Sequence, residues 1–229
     1  MATNRPSGRL VKDELYGHFS RIGKAVAHPK RIELLDLLCQ GERSVEVLAD
    51  RAAMSVVNCS AHLRVLRESR LVTTRREGTR VFYRLADDSV CTFFGVLRDL
   101  ATDRYAEVDR IVQDYFNARD GLEPVSRDEL LRMAGDGDVV VLDVRPAEEY
   151  EAGHIAGAVS VPLDDLQARV ASFPEGAFVV AYCRGPYCVL VPQALEVLRR
   201  EGFEARRLED GFPEWRQAGL PVAVGQESN

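Results

Sequence analysis

Apolar residues along the first 120 positions recur mostly at three- and four-residue steps, which is the helical period. Asp13–Ala27 and Pro29–Cys39 read as helices, the second with Pro29 in its first turn and Gly41 just past its end. Ser44 is placed to cap a short helix reaching about Ala52, and Ser55 to cap another reaching Glu68. In that last helix Val57, Ala61, Val65 and Leu66 are the residues available to a core. The period then changes. Leu71–Arg76 and Arg80–Leu85 are strand-like, and Glu77-Gly-Thr79 between them reads as a hairpin turn. From Asp87 to Asn117 the helical spacing returns, with Val90, Phe94, Leu97, Ala101, Val108, Ile111, Val112 and Tyr115 forming one stripe between charged residues. Asp120–Pro124 is a short linker, and Ser126 opens a further helix. Two apolar runs beyond it, from Val139 and from Ala177 to Tyr182, read as buried strands, and Val189–Arg200 is again helical.

Two short helices, a capped second helix and an Arg-rich hairpin make a winged helix-turn-helix, in which the Ser55–Glu68 helix enters the major groove of DNA. Charge supports that reading once it is resolved along the chain. Residues 1–120 hold 20 basic and 17 acidic side chains and residues 121–229 hold 10 and 19, so the net −6 divides into +3 and −9. Arg43–Arg84 alone contains nine Arg against four acids, a local excess that a phosphate backbone would feel. Candidates for base edges are Asn58, Ser60 and His62, next to the capping Ser55. Arg64, Arg67, Arg75, Arg76 and Arg80 are better suited to phosphates.

The segments Ala27-His-Pro-Lys-Arg-Ile-Glu-Leu-Leu-Asp-Leu-Leu38, Met54-Ser-Val-Val-Asn-Cys-Ser-Ala-His-Leu-Arg-Val-Leu66 and Arg76-Glu-Gly-Thr-Arg-Val-Phe-Tyr83 resemble the ArsR/SmtB repressors over roughly Leu15–Phe116. The resemblance implies a dimer on a palindromic operator, with the Asp87–Asn117 helix at the homodimer interface. The metal-binding patterns of that family are missing. Ser44-Val-Glu46 stands where some members carry Cys-x-Cys, and residues 86–120 contain no His, so no metal site is read. Cys39, ending one helix, and Cys91, beginning another, resemble the paired thiols of the persulfide-sensing members and are candidate sensor thiols. Thiolates are also soft ligands, which keeps arsenite or another thiophilic ion open as the signal.

A second centre lies at Ala181-Tyr-Cys-Arg-Gly-Pro-Tyr-Cys-Val189. Cys183 closes a strand at a Gly-Pro loop ahead of a helix, where backbone N–H groups and the helix dipole would stabilise a thiolate. Upstream runs Val139-Val-Val-Leu-Asp-Val-Arg-Pro-Ala-Glu-Glu-Tyr-Glu-Ala-Gly-His-Ile-Ala-Gly-Ala-Val-Ser-Val-Pro162, and downstream Glu209-Asp-Gly-Phe-Pro-Glu-Trp215. With Cys183 between them, these motifs resemble the rhodanese family of sulfurtransferases over about Pro124–Val224. That implies an α/β domain with a parallel sheet and a Cys183 persulfide fed by a small donor such as thiosulfate or a persulfide. The same resemblance makes Asp143 and Arg145 a framework pair beneath the loop, and Glu149 and His154 residues that order the next connection. On the residues alone, the Asp-x-Arg is a structural ion pair as readily as a catalytic one. The loop's sixth position, where many relatives hold Arg, is Cys188. Arg184 can supply some positive charge, and Cys188 is either a resolving thiol or a packed residue of the first helical turn.

The chain is thus expected to hold two domains: a mainly α winged helix-turn-helix at 10–118, a linker at 119–124 and an α/β rhodanese-like domain at 125–224. No cofactor is called for. Met1–Arg9 is polar and expected to be disordered, no apolar leader follows it, and no run approaches the ~18 residues needed to span a bilayer. With five cysteines in no framework spacing, a cytoplasmic protein is expected. The joint reading is a repressor whose Cys183 persulfide couples sulfane sulfur to operator release. The alternative is an arsenite- or metalloid-responsive repressor with a silent rhodanese half.

Overall fold

The computed structural model describes residues 8–112, 114–115, 123–136 and 139–225, and consists of two compact units that divide between Phe94 and Gly95. Met1–Ser7, Asn117 and most of the expected linker lie outside the described residues.

The first unit begins with α1 (Gly8–Val26), five residues earlier than the apolar pattern indicates. It continues through α2 (Pro29–Cys39), β1 (Arg43–Ser44), α3 (Val45–Arg51) and α4 (Val56–Glu68) to the hairpin β2 (Val72–Glu77) and β3 (Arg80–Leu85). The helix starts are fixed by side chains that accept orphan backbone N–H groups. His28 Nδ1 accepts from Lys30, Ser44 Oγ from Val47 and Ser55 Oγ from Asn58, at 3.1, 3.4 and 3.2 Å. The hairpin closes with Glu77 opposite Arg80, so only Gly78 and Thr79 form the turn. Gly78 takes φ +58°, a value that costs glycine little. β1, which no strand pattern in the sequence announced, adds to β3 on the far side and gives an antiparallel sheet of order β1-β3-β2.

The core of this unit gathers Leu34, Leu35 and Leu38 of α2, Leu48 of α3, and Cys59, Leu63 and Leu66 of α4. The inward face of α4 therefore differs from the expected one. Val57 is 78 % exposed and Ala61 is also outside, because the row 59, 63, 66 follows the helical repeat and only Leu66 is common to both readings.

α5 (Asp88–Arg104) is followed by α6 (Ala106–Val112), where one continuous helix was expected. The hydrogen-bond ladder restarts at Tyr105: its N–H closes on Ala101 O at 3.0 Å, and its carbonyl accepts from Val108 N at 2.9 Å. Val90 is buried and Phe94, Leu97 and Ala101 are half-buried, while a second row, Phe93, Val96 and Leu100, stays exposed. α1 presents a similar row in Val11, Leu15 and Phe19.

In the second unit α7 (Arg127–Asp136) starts under Ser126 Oγ, which accepts from Glu129 N at 3.3 Å. Then come β4 (Val139–Asp143), α8 (Ala147–Ala152), β5 (His154–Ile155), β6 (Val159–Ser160) and α9 (Leu163–Arg169). β7 (Phe178–Tyr182), α10 (Leu190–Arg200), β8 (Glu204–Arg207), α11 (Phe212–Gln217) and β9 (Val222–Ala223) complete it. β6, β4, β7 and β8 form a parallel sheet in that order, and β5 pairs with β9 as a separate antiparallel ribbon. Alternation along β7 divides the interior in two. Val179 and Ala181 face Leu142, Leu166, Leu195 and Leu198, whereas Val180 and Tyr182 face Leu130, Phe212 and Trp215. Both faces of the sheet are covered, as a parallel sheet requires.

The orientation of α4 is checked by two truncations. Leu63→Ala should lower stability by about 2–5 kcal/mol and Val57→Ala by under about 0.5 kcal/mol, read as shifts of the urea midpoint.

Candidate functional sites: a cysteine loop and a recognition helix

β7 delivers Cys183 to the C-terminal edge of the parallel sheet, where open α/β sheets place their sites. The segment after it, Arg184–Val189, is a loop, and α10 starts only at Leu190. Cys188 therefore belongs to the loop and not to a first helical turn. Its N–H bonds Gly185 O at 3.2 Å, and Cys183 and Cys188 are joined as a disulfide with Cα atoms 6.1 Å apart. Gly211 lies so close to the loop that a Cβ there would overlap the Arg184–Gly185 backbone. Phe212 N donates to Cys183 O at 3.0 Å, which fixes the segment after β8 against the cysteine.

Beneath the loop, Asp143 and Arg145 are wholly enclosed, both with side chains at 0 % exposure. Arg145 Nη2 reaches Asp143 at 2.5 Å and Gly153 O at 2.8 Å, and Tyr182 Oη donates to Asp143 at 2.6 Å. Burial, then the Asp143 charge, push the Tyr182 hydroxyl well above its ordinary range, so it remains a donor. The pair ties the end of β4 to the end of β7 and to the α8–β5 corner. Its enclosure makes it a framework for the loop and keeps it from touching a substrate. Arg184 is committed as well: it forms a two-pronged ion pair with the buried Glu149, Nη2–Oε1 being 2.7 Å, so its charge is matched before any anionic donor arrives. His154 stacks on Tyr150 at 3.5 Å between ring centroids, and its Nδ1 lies 2.8 Å from Tyr150 O.

On α4, the exposed line opposite the core is Val57, Ala61 and Arg64, flanked by Ser55, Asn58 and Arg67. Ser60 and His62 are half-buried at the sides. His62 packs on His28, ring centroids 4.4 Å apart. Burial, then the charges of His28, Arg31 and Lys30, lower its pKa and favour the neutral imidazole. The structure thus brings Ser55, Asn58, Arg64 and Arg67 onto one exposed surface, with Ser60 and His62 half-buried at its edges. On the hairpin, Arg76 and Arg80 are exposed, and Arg75 lies over Phe82 while bonded to Glu42 at 2.6 Å and Glu77 at 2.7 Å.

A family model described as a rhodanese-like domain matches residues 126–218, and one described as "Bacterial regulatory protein, arsR family" matches residues 28–74. The HTH-type transcriptional regulator Rv0324 of Mycobacterium tuberculosis is 43 % identical over 214 residues, covering 93 % of this chain and 94 % of that protein. The chain belongs to the arsR family of regulators and carries a rhodanese-like domain. Two shorter likenesses fall on the N-terminal half. Nodulation protein NolR of Rhizobium meliloti is 38 % identical over 79 residues, 34 % of this chain and 65 % of NolR. The homodimeric winged helix-turn-helix DNA-binding domain of Mb0332 from Mycobacterium bovis is 38 % identical, with a TM-score of 0.40 over 45 % of this chain and 93 % of that one.

In this arsR-family chain the remaining thiols sort by environment. Cys39 at the end of α2 and Cys91 in the first turn of α5 are joined as a disulfide, Cα atoms 5.5 Å apart, and both are buried. Cys59 faces the core of α4, and burial pushes its pKa up to about 11, which leaves it inert at neutral pH. Two residues escape sequence reasoning. Val57 stands exposed in the first turn of α4. Asp210 lines the small cavity beside Cys183 and Cys188. Val57 was assigned to the core by spacing, and Asp210 carried no signal beyond its place in the Glu209–Trp215 motif.

Removing the carboxylate charge under the loop should be costly, because Arg145 would remain buried and unneutralised. Asp143→Asn is expected to lose about 3–5 kcal/mol, measured by urea unfolding of the full chain.

Proposed function

We propose that this protein is a dimeric, cytoplasmic repressor that holds an operator through α4 and the β2–β3 wing and releases it when sulfane sulfur reaches its thiols. The observation that carries the reading is a cysteine pair in each unit. Cys39–Cys91 and Cys183–Cys188 have Cα separations of 5.5 and 6.1 Å, both inside the ~4.4–6.8 Å range that lets two thiols close and reopen. Cys183, at the mouth of its loop, takes sulfane sulfur from a small donor as a persulfide, and the sulfur passes to Cys188 or to the sensor thiols Cys39 and Cys91. The Cys39–Cys91 bridge ties the end of α2, which packs against α4, to the start of α5. Opening or closing it biases the helices on which DNA binding depends. A useful switch must favour one state over the other by about a few kcal/mol.

Dimerisation is supported by the exposed apolar rows on α1 and α5, since apolar residues at helical spacing seek a partner surface. DNA contact is supported by the exposed Ser55, Asn58, Arg64, Arg67, Arg76 and Arg80, with Val57 as an apolar contact. A second reading is favoured by the same 5.5 Å pair: once reduced, Cys39 and Cys91 form a dithiol that an arsenite-type metalloid can chelate. In that case the rhodanese-like domain is an accessory.

The test is operator binding by fluorescence anisotropy, with the DNA upstream of the protein's own gene and reduced, polysulfide-treated or arsenite-treated protein. Release by polysulfide that is lost in Cys183→Ser is the expected result. Release by arsenite alone, with polysulfide inert, would replace the sulfur reading with the metalloid one.

A further inference from the structure

The two loop cysteines share their cavity with a carboxylate. A space of about 10 Å³, room for roughly one water, is lined by Cys183, Pro186, Cys188, Val191, Arg207 and Asp210. Asp210 is held there by backbone bonds on both sides of it: Leu208 N donates to Ala181 O at 2.9 Å and Phe212 N to Cys183 O at 3.0 Å. Two residues either side of Asp210 are therefore fastened to β7 and to Cys183 itself. Gly211, which admits no Cβ against the Arg184–Gly185 backbone, brings the segment closer still.

Resolution of a Cys183 persulfide by Cys188, in place of onward transfer of its sulfur, needs a proton at this place. A persulfide is an anion near neutral pH. If Cys188 attacked the Cys183 Sγ of that anion, the outer sulfur would have to leave as fully deprotonated sulfide, which is far too basic to be expelled in water. We infer that Asp210 is the proton shuttle of this step, carrying a proton from the Cys188 thiol to the outer sulfur of the Cys183 persulfide. The Asp210 carboxylate takes the Cys188 proton, and the Cys188 thiolate forms a bond to Cys183 Sγ. The bond from Sγ to the outer sulfur breaks, and that sulfur accepts the proton from Asp210 and departs as hydrosulfide. The sulfane sulfur is reduced and the two cysteine sulfurs are oxidised to the disulfide, so no outside oxidant is consumed. The Cys183–Cys188 disulfide of the structure is the product of this step. The inference rests on the proposed Cys183 persulfide.

The charges around Asp210 suit the role. Arg127 of α7 lies 2.5 Å away, Arg207 of β8 lines the same cavity, and Glu209 and Glu214 stand on the acidic side, Glu214 being paired with Arg98 at 2.5 Å. Burial raises the Asp210 pKa, Arg127 opposes it, and Glu214 and Glu209 add to it; the net displacement is upward. A carboxyl displaced toward neutrality gives and takes a proton more readily than an ordinary aspartate.

The test follows full-length, reduced protein after mixing with inorganic polysulfide. Samples are quenched in acid, and the Cys183–Cys188 peptide is weighed for the persulfide, which gains one sulfur, and the disulfide, which loses two hydrogens. Cys188→Ser should accumulate the persulfide. Asp210→Asn should slow conversion of persulfide to disulfide about a hundredfold, the range of general acid–base catalysis. Arg127→Gln removes the charge that lowers the Asp210 pKa, so the acid limb of the rate–pH profile should move to higher pH. Conversion by Asp210→Asn at the wild-type rate, or an unmoved limb in Arg127→Gln, would overturn the shuttle while leaving the persulfide intact. No persulfide in Cys188→Ser would overturn the sulfur-transfer reading and the shuttle together.

Discussion

The second unit depends on one ion pair buried without solvent. Asp143 and Arg145 leave β4 two residues apart, and neither has an exposed atom to share with water. Such a pair gains its attraction in a poorly screened interior but carries a heavy desolvation cost, so it persists only if every remaining polar atom is answered. Tyr182 Oη and the Arg145 backbone N–H bond Asp143, Gly153 O takes the far end of the guanidinium, and the Tyr182 and Phe212 rings lie 5.6 and 4.6 Å from it. Because these partners come from β4, β7, the α8–β5 corner and α11, the pair fixes the sheet edge from which Cys183 emerges. The cysteine loop inherits its position from a cluster closed to solvent.

The first unit uses a different economy of polar groups. Its helices begin where His28, Ser44 and Ser55 accept backbone N–H groups, and Arg43 is its one buried charged residue among the described residues. Arg31 spans the α1–α2 junction by bonding the Ala25 and Lys24 carbonyls, a task the guanidinium performs without being buried. The two units therefore differ in where their polar contacts lie. The first relies on exposed, screenable contacts and apolar packing; the second relies on a sealed cluster.

Much of this was legible in the chain. Caps at Ser44, Ser55 and Ser126, the apolar run Ala177–Tyr182 and the Gly-containing turn after Glu77 are local signals, and local signals set element boundaries. The rotation of α4 was not legible, because Val57 and Ala61 fit a helical stripe as well as Cys59 and Leu63 do, and only the packing of α2 and α3 against α4 decides between them. The break at Tyr105 was hidden for a similar reason: no Pro or Gly marks it. The contact of His62 with His28 of the α2 cap was not legible either, because the two residues are far apart along the chain. Arg184 looked like a free cation until the fold brought Glu149, 35 positions earlier, to meet it. Pairings across long stretches of chain are set by topology, and a single sequence carries little of it.

Arg75 has a comparable consequence at the wing. Its guanidinium is already shared between Glu42 and Glu77, and those partners hold its pKa well above the ordinary arginine value. A phosphate approaching Arg75 would have to exchange one ion pair for another, so any gain would come mainly from mobile ions freed from the DNA at neighbouring arginines. Any grip of the wing on DNA would therefore be less sensitive to ionic strength than its count of arginines implies, with Glu42 and Glu77 setting that sensitivity from within the protein.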